Sequence, residues 1–277
     1  MSKTEVAFLG PRGTYSHLVA EKRFGKTCAE VPLPTVLDVC TYVSKKRSAR
    51  GIVPIENSSG GAIYETVDIL LDNKPRIQIE EELTLHVNLA LIGRKSENPK
   101  KLYSHFAPLE HCTPWVKRHL PRVERCVVTS TAEAALRAAG EWGAVALGSR
   151  RLAKMYGLEV LEYPISSDIP NVTSFIVVSG RKTAPAATPE KTTVATRIPN
   201  EPGSLYNLLG AFQDQEVNLS RIISRPIRGC PKEYAFLVDV DGGAQEQKVK
   251  RALAAARKVS IKLRVVGSYP SAKPYRS

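Results

Sequence analysis

The 277-residue sequence predicts an α/β fold of two lobes followed by a small ferredoxin-like unit, and three observations carry that prediction. From Glu5 to about Val178, short apolar runs alternate with segments of helical periodicity. The segment Arg181 to Lys191 is rich in Pro and Ala and has no periodicity, so it reads as a linker (181–191) between a 1–180 domain and a 192–277 domain. Beyond it the elements follow the order βαββαβ.

Taken in order, a strand Thr4 to Leu9 empties through Gly10-Pro11-Arg12-Gly13-Thr14-Tyr15-Ser16 into a helix. Val36, Val39 and Val43 then recur at helical spacing. The apolar run Ile52 to Ile55 reads as a buried strand, and Glu56-Asn57-Ser58-Ser59 is expected to lead from it into a helix carrying Ile63, Val67, Leu70 and Leu71. Two long extended stretches, 76–92 and 158–178, are expected to cross between the lobes and leave a cleft. Between them a strand Arg125 to Val128 runs through Thr129-Ser130-Thr131-Ala132-Glu133 into a helix, and Val145 to Leu147 is another buried strand. The small unit is read as strand Thr193 to Arg197, helix Ser204 to Asp214, strands Leu219 to Arg225 and Tyr234 to Asp239, helix Ala244 to Lys258 and strand Lys262 to Val266.

Three strand-to-helix turns rich in Ser, Thr, Asn and Gly point to an anionic ligand. Backbone N–H groups and the positive end of a helix dipole converge at such turns, and short polar side chains add directional donors. One turn alone would be an ordinary N-cap. Three in one α/β region suggest one ligand with more than one negative group.

Composition excludes several alternatives. The net charge of +13 raises nucleic acid as a partner, but Lys and Arg are scattered and no aromatic residues interleave with them as stacking platforms. The basic surface instead suits an acidic small molecule. No apolar run reaches the roughly 20 residues of a membrane span, and Met1-Ser2-Lys3-Thr4-Glu5-Val6 has no secretory apolar core, so a cytoplasmic location without a membrane partner is expected. Five cysteines without a Cys-x-x-Cys pair read as reduced thiols. His105, His111, Cys112 and His119 lack carboxylates at ligand spacing, and no metal is expected.

The ordered blocks of the chain resemble the prephenate dehydratase family with a C-terminal ACT regulatory domain. Those blocks are Gly10-Pro11-Arg12-Gly13-Thr14-Tyr15-Ser16, Val53 to Ser58 with Thr66 and Asp68, and Tyr103-Ser104-His105 with Cys112, Trp115 and His119-Leu120-Pro121. Ser130-Thr131-Ala132, Tyr156-Gly157-Leu158 and Asn171 to Phe175 follow, and Pro202 to Leu205 with Ser224-Arg225-Pro226 resembles the ACT phenylalanine site. The resemblance implies a two-lobed, periplasmic-binding-protein-like catalytic domain. It also implies conversion of prephenate to phenylpyruvate with loss of water and carbon dioxide, in L-phenylalanine biosynthesis, a reaction that needs neither metal nor organic cofactor.

On this resemblance Thr173, Asn57 and Ser58 are the expected catalytic residues, with Thr173 a positioned donor to the departing hydroxyl. Gly13, Thr14, Ser16, Glu56, Ser130, Thr131, Ala132, Ser174 and Phe175 are expected to bind substrate. Gly203, Ser204, Leu205, Asn218, Ser224, Arg225 and Pro226 are expected to bind L-phenylalanine between subunits of a homodimer or homotetramer.

The chain departs from the family pattern in places. Ser174 stands where the family has Arg, Phe106-Ala107 replaces Pro-Gln, Ile223 replaces Glu, and Ser166-Ser167-Asp168 stands where a Gln-Asp pair is usual. Two other readings therefore stay open. A prephenate decarboxylase-like enzyme would keep the ring hydroxyl, and a non-catalytic sensor would use the cleft only to bind.

Overall fold

The computed structural model describes residues 4–25, 28–95, 98–165, 170–180, 188–271 and 274–277. The first part of the chain gives β1 (Glu5–Leu9), α1 (Tyr15–Phe24), β2 (Ala29–Leu33), α2 (Val36–Lys45), β3 (Arg50–Asn57), β4 (Gly61–Ala62), α3 (Tyr64–Asp72) and β5 (Gln78–His86). There follow β6 (Ala90–Gly93), β7 (Lys101–Ser104), α4 (Phe106–His111), α5 (Thr113–His119), β8 (Glu124–Val127), α6 (Thr131–Gly140), β9 (Ala144–Gly148), α7 (Arg150–Tyr156), β10 (Glu159–Glu162) and β11 (Val172–Ser179). The last part gives β12 (Lys191–Arg197), α8 (Ser204–Gln213), β13 (Leu219–Pro226), β14 (Tyr234–Asp241), α9 (Gln247–Lys258), β15 (Lys262–Tyr269) and β16 (Tyr275–Arg276).

These strands form three sheets. The first runs β16-β5-β11-β3-β1-β2, with β4 beside β3, and the second runs β10-β6-β9-β7-β8. Both are mixed: β1 is parallel to β2 and β3, whereas β11 is antiparallel to β3 and β5. The third sheet, β13-β14-β12-β15, is antiparallel throughout. The chain passes from the first sheet to the second between β5 and β6, and returns between β10 and β11. Residues 166–169 of that return, and residues 181–187 of the expected linker, lie outside the described residues.

Helix starts follow the caps that the sequence supplies. Thr14, Thr35 and Ser130 each accept the N–H of the residue three positions on, which satisfies one of the donors that a helix start leaves open. The α2 face Val36, Val39, Cys40 and Val43 is buried against the first sheet. Pro114 falls in the first turn of α5, where its missing N–H costs nothing, and the chain breaks into α4 and α5 at Cys112.

One expected junction is corrected. The Asn57-Ser58-Ser59 turn does not open a helix, because the hairpin strand β4 intervenes and α3 starts at Tyr64 with Ile63 as a cap that makes no side-chain hydrogen bond. Asn57 Oδ1 already accepts the N–H groups of Ser59 and Gly60, at 2.9 Å each. The helix dipole is therefore not aimed from this turn.

The third sheet docks on the first through an apolar seam. Leu237, Val266 and Tyr269 share one buried cluster with Val67, Leu70, Ile77 and Ile79. At Gly267 a Cβ would stand 2.4 Å from the Ile79 carbonyl oxygen, so only glycine permits the backbones to approach. After the seam the chain returns to the first sheet. β16 pairs parallel to β5, the Asn88 N–H donates to Ser277 Oγ at 2.7 Å, and the Tyr163 hydroxyl donates to the Ser277 carbonyl at 3.3 Å. Ser277 thus touches both segments that connect the lobes.

Candidate active site

The cleft between the first two sheets encloses about 730 Å³. Its walls carry Thr14, Ser16, Asn57, Asn171, Thr173 and Phe175 from the first lobe, and His105, Thr129, Ser130 and Thr131 from the second. A larger groove of about 910 Å³ lies between β5 and α9, and holds none of the sequence-predicted site residues.

Asn57, the last residue of β3, lies in direct register with Thr173, the second residue of the antiparallel neighbour β11. Asn57 Nδ2 donates to Thr173 Oγ1 at 2.9 Å and to Asn171 Oδ1 at 2.8 Å. Since Oδ1 accepts two backbone N–H groups, the amide cannot flip without losing four hydrogen bonds. Thr173 Oγ1 accepts a hydrogen bond from Asn57, which leaves its own O–H to donate to a ligand. This is a built donor.

Two helix starts face the cleft. In α1 the Thr14 hydroxyl donates to the Leu9 carbonyl at 2.9 Å and caps His17 N–H at 3.3 Å, so the open donors are the N–H groups of Tyr15 and Ser16. In α6 Ser130 Oγ caps Glu133 N–H at 3.1 Å, leaving those of Thr131 and Ala132. Glu133 accepts from the Thr129 hydroxyl at 2.5 Å and from its N–H at 3.0 Å, and these bonds hold its carboxyl below the usual range.

Among the described residues lining the cleft, no Asp or Glu occurs, and Arg12 at the rim is the one Lys or Arg. Arg12 is itself paired with Glu30 at 3.2 Å. Burial lowers the pKa of the His105 imidazole, which keeps it neutral at pH 7. The cleft therefore offers uncharged donors to an anion. At its edge, Ser59 Oγ lies 3.1 Å from His111 Nδ1 and joins the two lobes.

Several expected site residues lie elsewhere. Ser58 is structural: its hydroxyl donates to the Pro170 carbonyl at 2.7 Å and accepts Val172 N–H at 2.9 Å. The Gly13 N–H donates to His17 Nδ1, and a Cβ at Gly13 would stand 2.7 Å from Leu152 of α7, so this residue packs against the other lobe. The Ala132 methyl is buried in the second lobe, so of this residue only the backbone N–H at the start of α6 is offered to a ligand. Glu56 and Ser174 pair across β3 and β11, on the strand positions adjacent to Asn57 and Thr173, and neither lines the cleft. Glu56 instead meets Arg221 of β13 at 2.9 Å.

Asn171, His105 and Thr129 were not among the expected site residues, although Thr129 belongs to an expected anion-binding turn and His105 and Asn171 to segments that resemble the family. For Asn171 the available signal was its short amide two residues before Thr173. His17, Glu21 and Glu30 form the one group of His, Cys, Asp and Glu side chains with metal-ligand spacing among the described residues. Arg12 already pairs with Glu30 and Arg151 with Glu21, so the group reads as an ion-pair cluster.

In the small unit Gly203 takes φ +85° before α8, and Leu205 is 40% exposed. Asn218 donates to Asp241 at 2.7 Å. The Arg225 guanidinium grips both Asp68 carboxylate oxygens, at 2.7 and 3.0 Å, and lies over the Tyr64 ring. Its side chain is therefore spent on the first lobe, which corrects its expected place as a free ligand contact.

Comparison with known proteins follows the same lines. The family model "Prephenate dehydratase" matches residues 6–183. The bifunctional chorismate mutase/prephenate dehydratase of Pseudomonas aeruginosa is 35% identical over 270 residues, covering 97% of this chain and 73% of the relative. Arogenate dehydratase 2 of Petunia hybrida is 34% identical over 290 residues, covering 98% and 72%. The crystal structure of a prephenate dehydratase from Arthrobacter aurescens in complex with L-Phe superposes with a TM-score of 0.87 at 30% identity, covering 96% of this chain and 90% of that one. GqqA, described as a quorum quenching acylase, superposes with a TM-score of 0.84 at 25% identity, covering 97% and 98%. No helix among the described residues is long and apolar enough to cross a membrane.

Proposed function

Since the chain belongs to the prephenate dehydratase family, we propose that its cleft converts prephenate to phenylpyruvate, and that Thr173 is the donor to the leaving oxygen. The observation that carries this reading is the Asn57–Thr173 hydrogen bond, in which the threonine oxygen accepts, so that its own O–H is available to donate into the cleft it lines. In the reaction the C–C bond to the ring carboxylate breaks, and its electron pair enters the ring. As carbon dioxide leaves, the C–O bond at the opposite carbon breaks, its electron pair departs with the oxygen as hydroxide, and solvent supplies the proton that makes it water. Aromatisation drives the sequence. A hydrogen bond to the departing oxygen strengthens as charge develops there, so it lowers the barrier more than it tightens substrate binding.

The N–H groups opening α1 and α6 would hold the two carboxylates. Uncharged donors suit a carboxylate that must leave as a neutral molecule, because a firm salt bridge would stabilise the ground state. The wall also separates two substrate classes. Arogenate carries an ammonium group where prephenate has a keto oxygen, and among the described residues lining the cleft no carboxylate is present to pair with that charge. Prephenate is the better fit.

The small unit is an ACT-type effector domain on this reading, and L-phenylalanine is its effector. Gly203, Ser204 and Leu205 would meet the ligand at the start of α8, with Asn218, Ser224 and Pro226 nearby. β13 is an edge strand of its sheet, which supports pairing with a second copy of the chain.

The test follows phenylpyruvate by ultraviolet absorbance after adding prephenate, and phenylalanine after adding arogenate. The reading expects phenylpyruvate from prephenate at a kcat/KM at least about tenfold above that for arogenate. Loss of carbon dioxide with the hydroxyl retained would establish the decarboxylase instead, and binding without turnover would establish the sensor.

A further inference from the structure

We propose that Arg221, from the small unit, is a positioning residue for the Asn57–Thr173 pair and acts on it through Glu56. The inference rests on the roles given above to Asn57 and Thr173.

Arg221 lies on β13, with its side chain 8% exposed, and three carboxylates surround its guanidinium. Nε donates to Glu56 at 2.9 Å, Nη2 donates to Glu82 of β5 at 3.0 Å, and Nη1 meets Asp239 of β14. Lys191 adds a second positive charge beside Glu82 and Asp239. The small unit thus reaches the first lobe through a five-charge cluster in which Arg221 alone touches Glu56.

Glu56 immediately precedes Asn57 on β3. Its register partners are Ser174 on β11 and Ala62 on β4, while Asn57 faces Thr173 and Gly61. Because successive strand residues point to opposite faces, the Glu56–Ser174 pair, of which Glu56 binds Arg221, backs the Asn57–Thr173 pair that lines the cleft. Ser174 has no charge to offer Glu56. Arg221 is therefore the cation that holds the last turn of β3 from behind, next to an amide that must aim at two acceptors simultaneously.

The Glu56 contact is not required to neutralise a buried carboxylate, since that side chain is 42% exposed. The Glu82 and Asp239 contacts are of the other kind, with side chains 6% and 0% exposed. This contrast allows fold and positioning to be separated. Arg221→Lys keeps a positive charge for Glu82 and Asp239 but lacks the fork that reaches three partners. Glu56→Gln removes the ion pair at its accessible end and leaves only a neutral amide oxygen as acceptor.

The experiment measures kcat and KM for prephenate in Arg221→Lys, Glu56→Gln and the double variant. Each single change is expected to lower kcat about tenfold with KM within about twofold, and the double variant to be no slower than either single one. Unchanged kcat in Glu56→Gln, or losses that multiply in the double variant, would overturn the proposal. If Arg221→Lys does not fold, Glu56→Gln decides alone. The side-chain amide resonances of Asn57, followed by NMR without substrate, give a readout independent of turnover. They should move in Glu56→Gln, and unmoved resonances would overturn the proposal even if the wild type forms no phenylpyruvate and the reaction assignment itself has failed.

Discussion

Asn57 donates through Nδ2 to Thr173 Oγ1 at 2.9 Å, so the threonine is an acceptor from the protein and a donor to whatever enters the cleft. Thr173→Ala should lower kcat by about 10²–10³ and leave KM within about threefold, as expected for a contact made mainly in the transition state. Asn57→Asp should be as damaging, because a carboxylate would accept the threonine proton instead of donating to its oxygen. Steady-state kinetics on prephenate check both, and a KM effect larger than the kcat effect would assign the pair to ground-state binding.

Gly13 combines φ +95° with a Cβ position 2.7 Å from Leu152, a residue of the other lobe. Gly13→Ala is therefore strained in backbone and contact together, and should cost about 1–3 kcal/mol of stability. A thermal midpoint equal to wild type would show that α1 and α7 can separate at no cost.

Burial lowers the His105 pKa in the cleft wall. Activity should hold as pH falls through about 6.5, where a free imidazole titrates, and drop only below the lowered value. The stability sign is the same: the unfolded chain takes up the proton first, so stability falls from about pH 6.5 towards the folded pKa. A pH profile of kcat/KM for wild type and His105→Asn checks this, since the acid limb should weaken in the variant. An acid limb unchanged by the substitution would place it on another group.

Ser174 pairs with Glu56 and does not line the cleft, so Ser174→Arg should bring its guanidinium to the carboxylate that Arg221 already holds. The substitution should change kcat by less than about threefold, as expected where a second donor reaches an occupied partner. A large gain in phenylpyruvate formation would mean that the serine has weakened the site.

Much of this was legible from residue order alone, because strand-to-helix turns and caps are local. The Thr14 and Ser130 caps and the small unit's βαββαβ order all follow from short-range chemistry. The turn after Asn57 was misread because a two-residue strand such as β4 has no periodicity to detect. β16 escaped notice for the same reason. Strand alternation could have shown that Thr173 and Ser174 face opposite ways, and the family blocks drew both into one site. The Arg221–Glu56 and Arg225–Asp68 pairs join residues 165 and 157 positions apart, and no local signal announces them.

The most direct test is a crystal structure of the protein with phenylpyruvate bound. The account expects the product in the 730 Å³ cleft, its carboxylate on the N–H groups opening α1 or α6 and its ring edge against the Thr173 hydroxyl. Product bound in the groove between β5 and α9, or in the cleft with Thr173 out of hydrogen-bonding reach of the ring carbon that carried the hydroxyl, would contradict it.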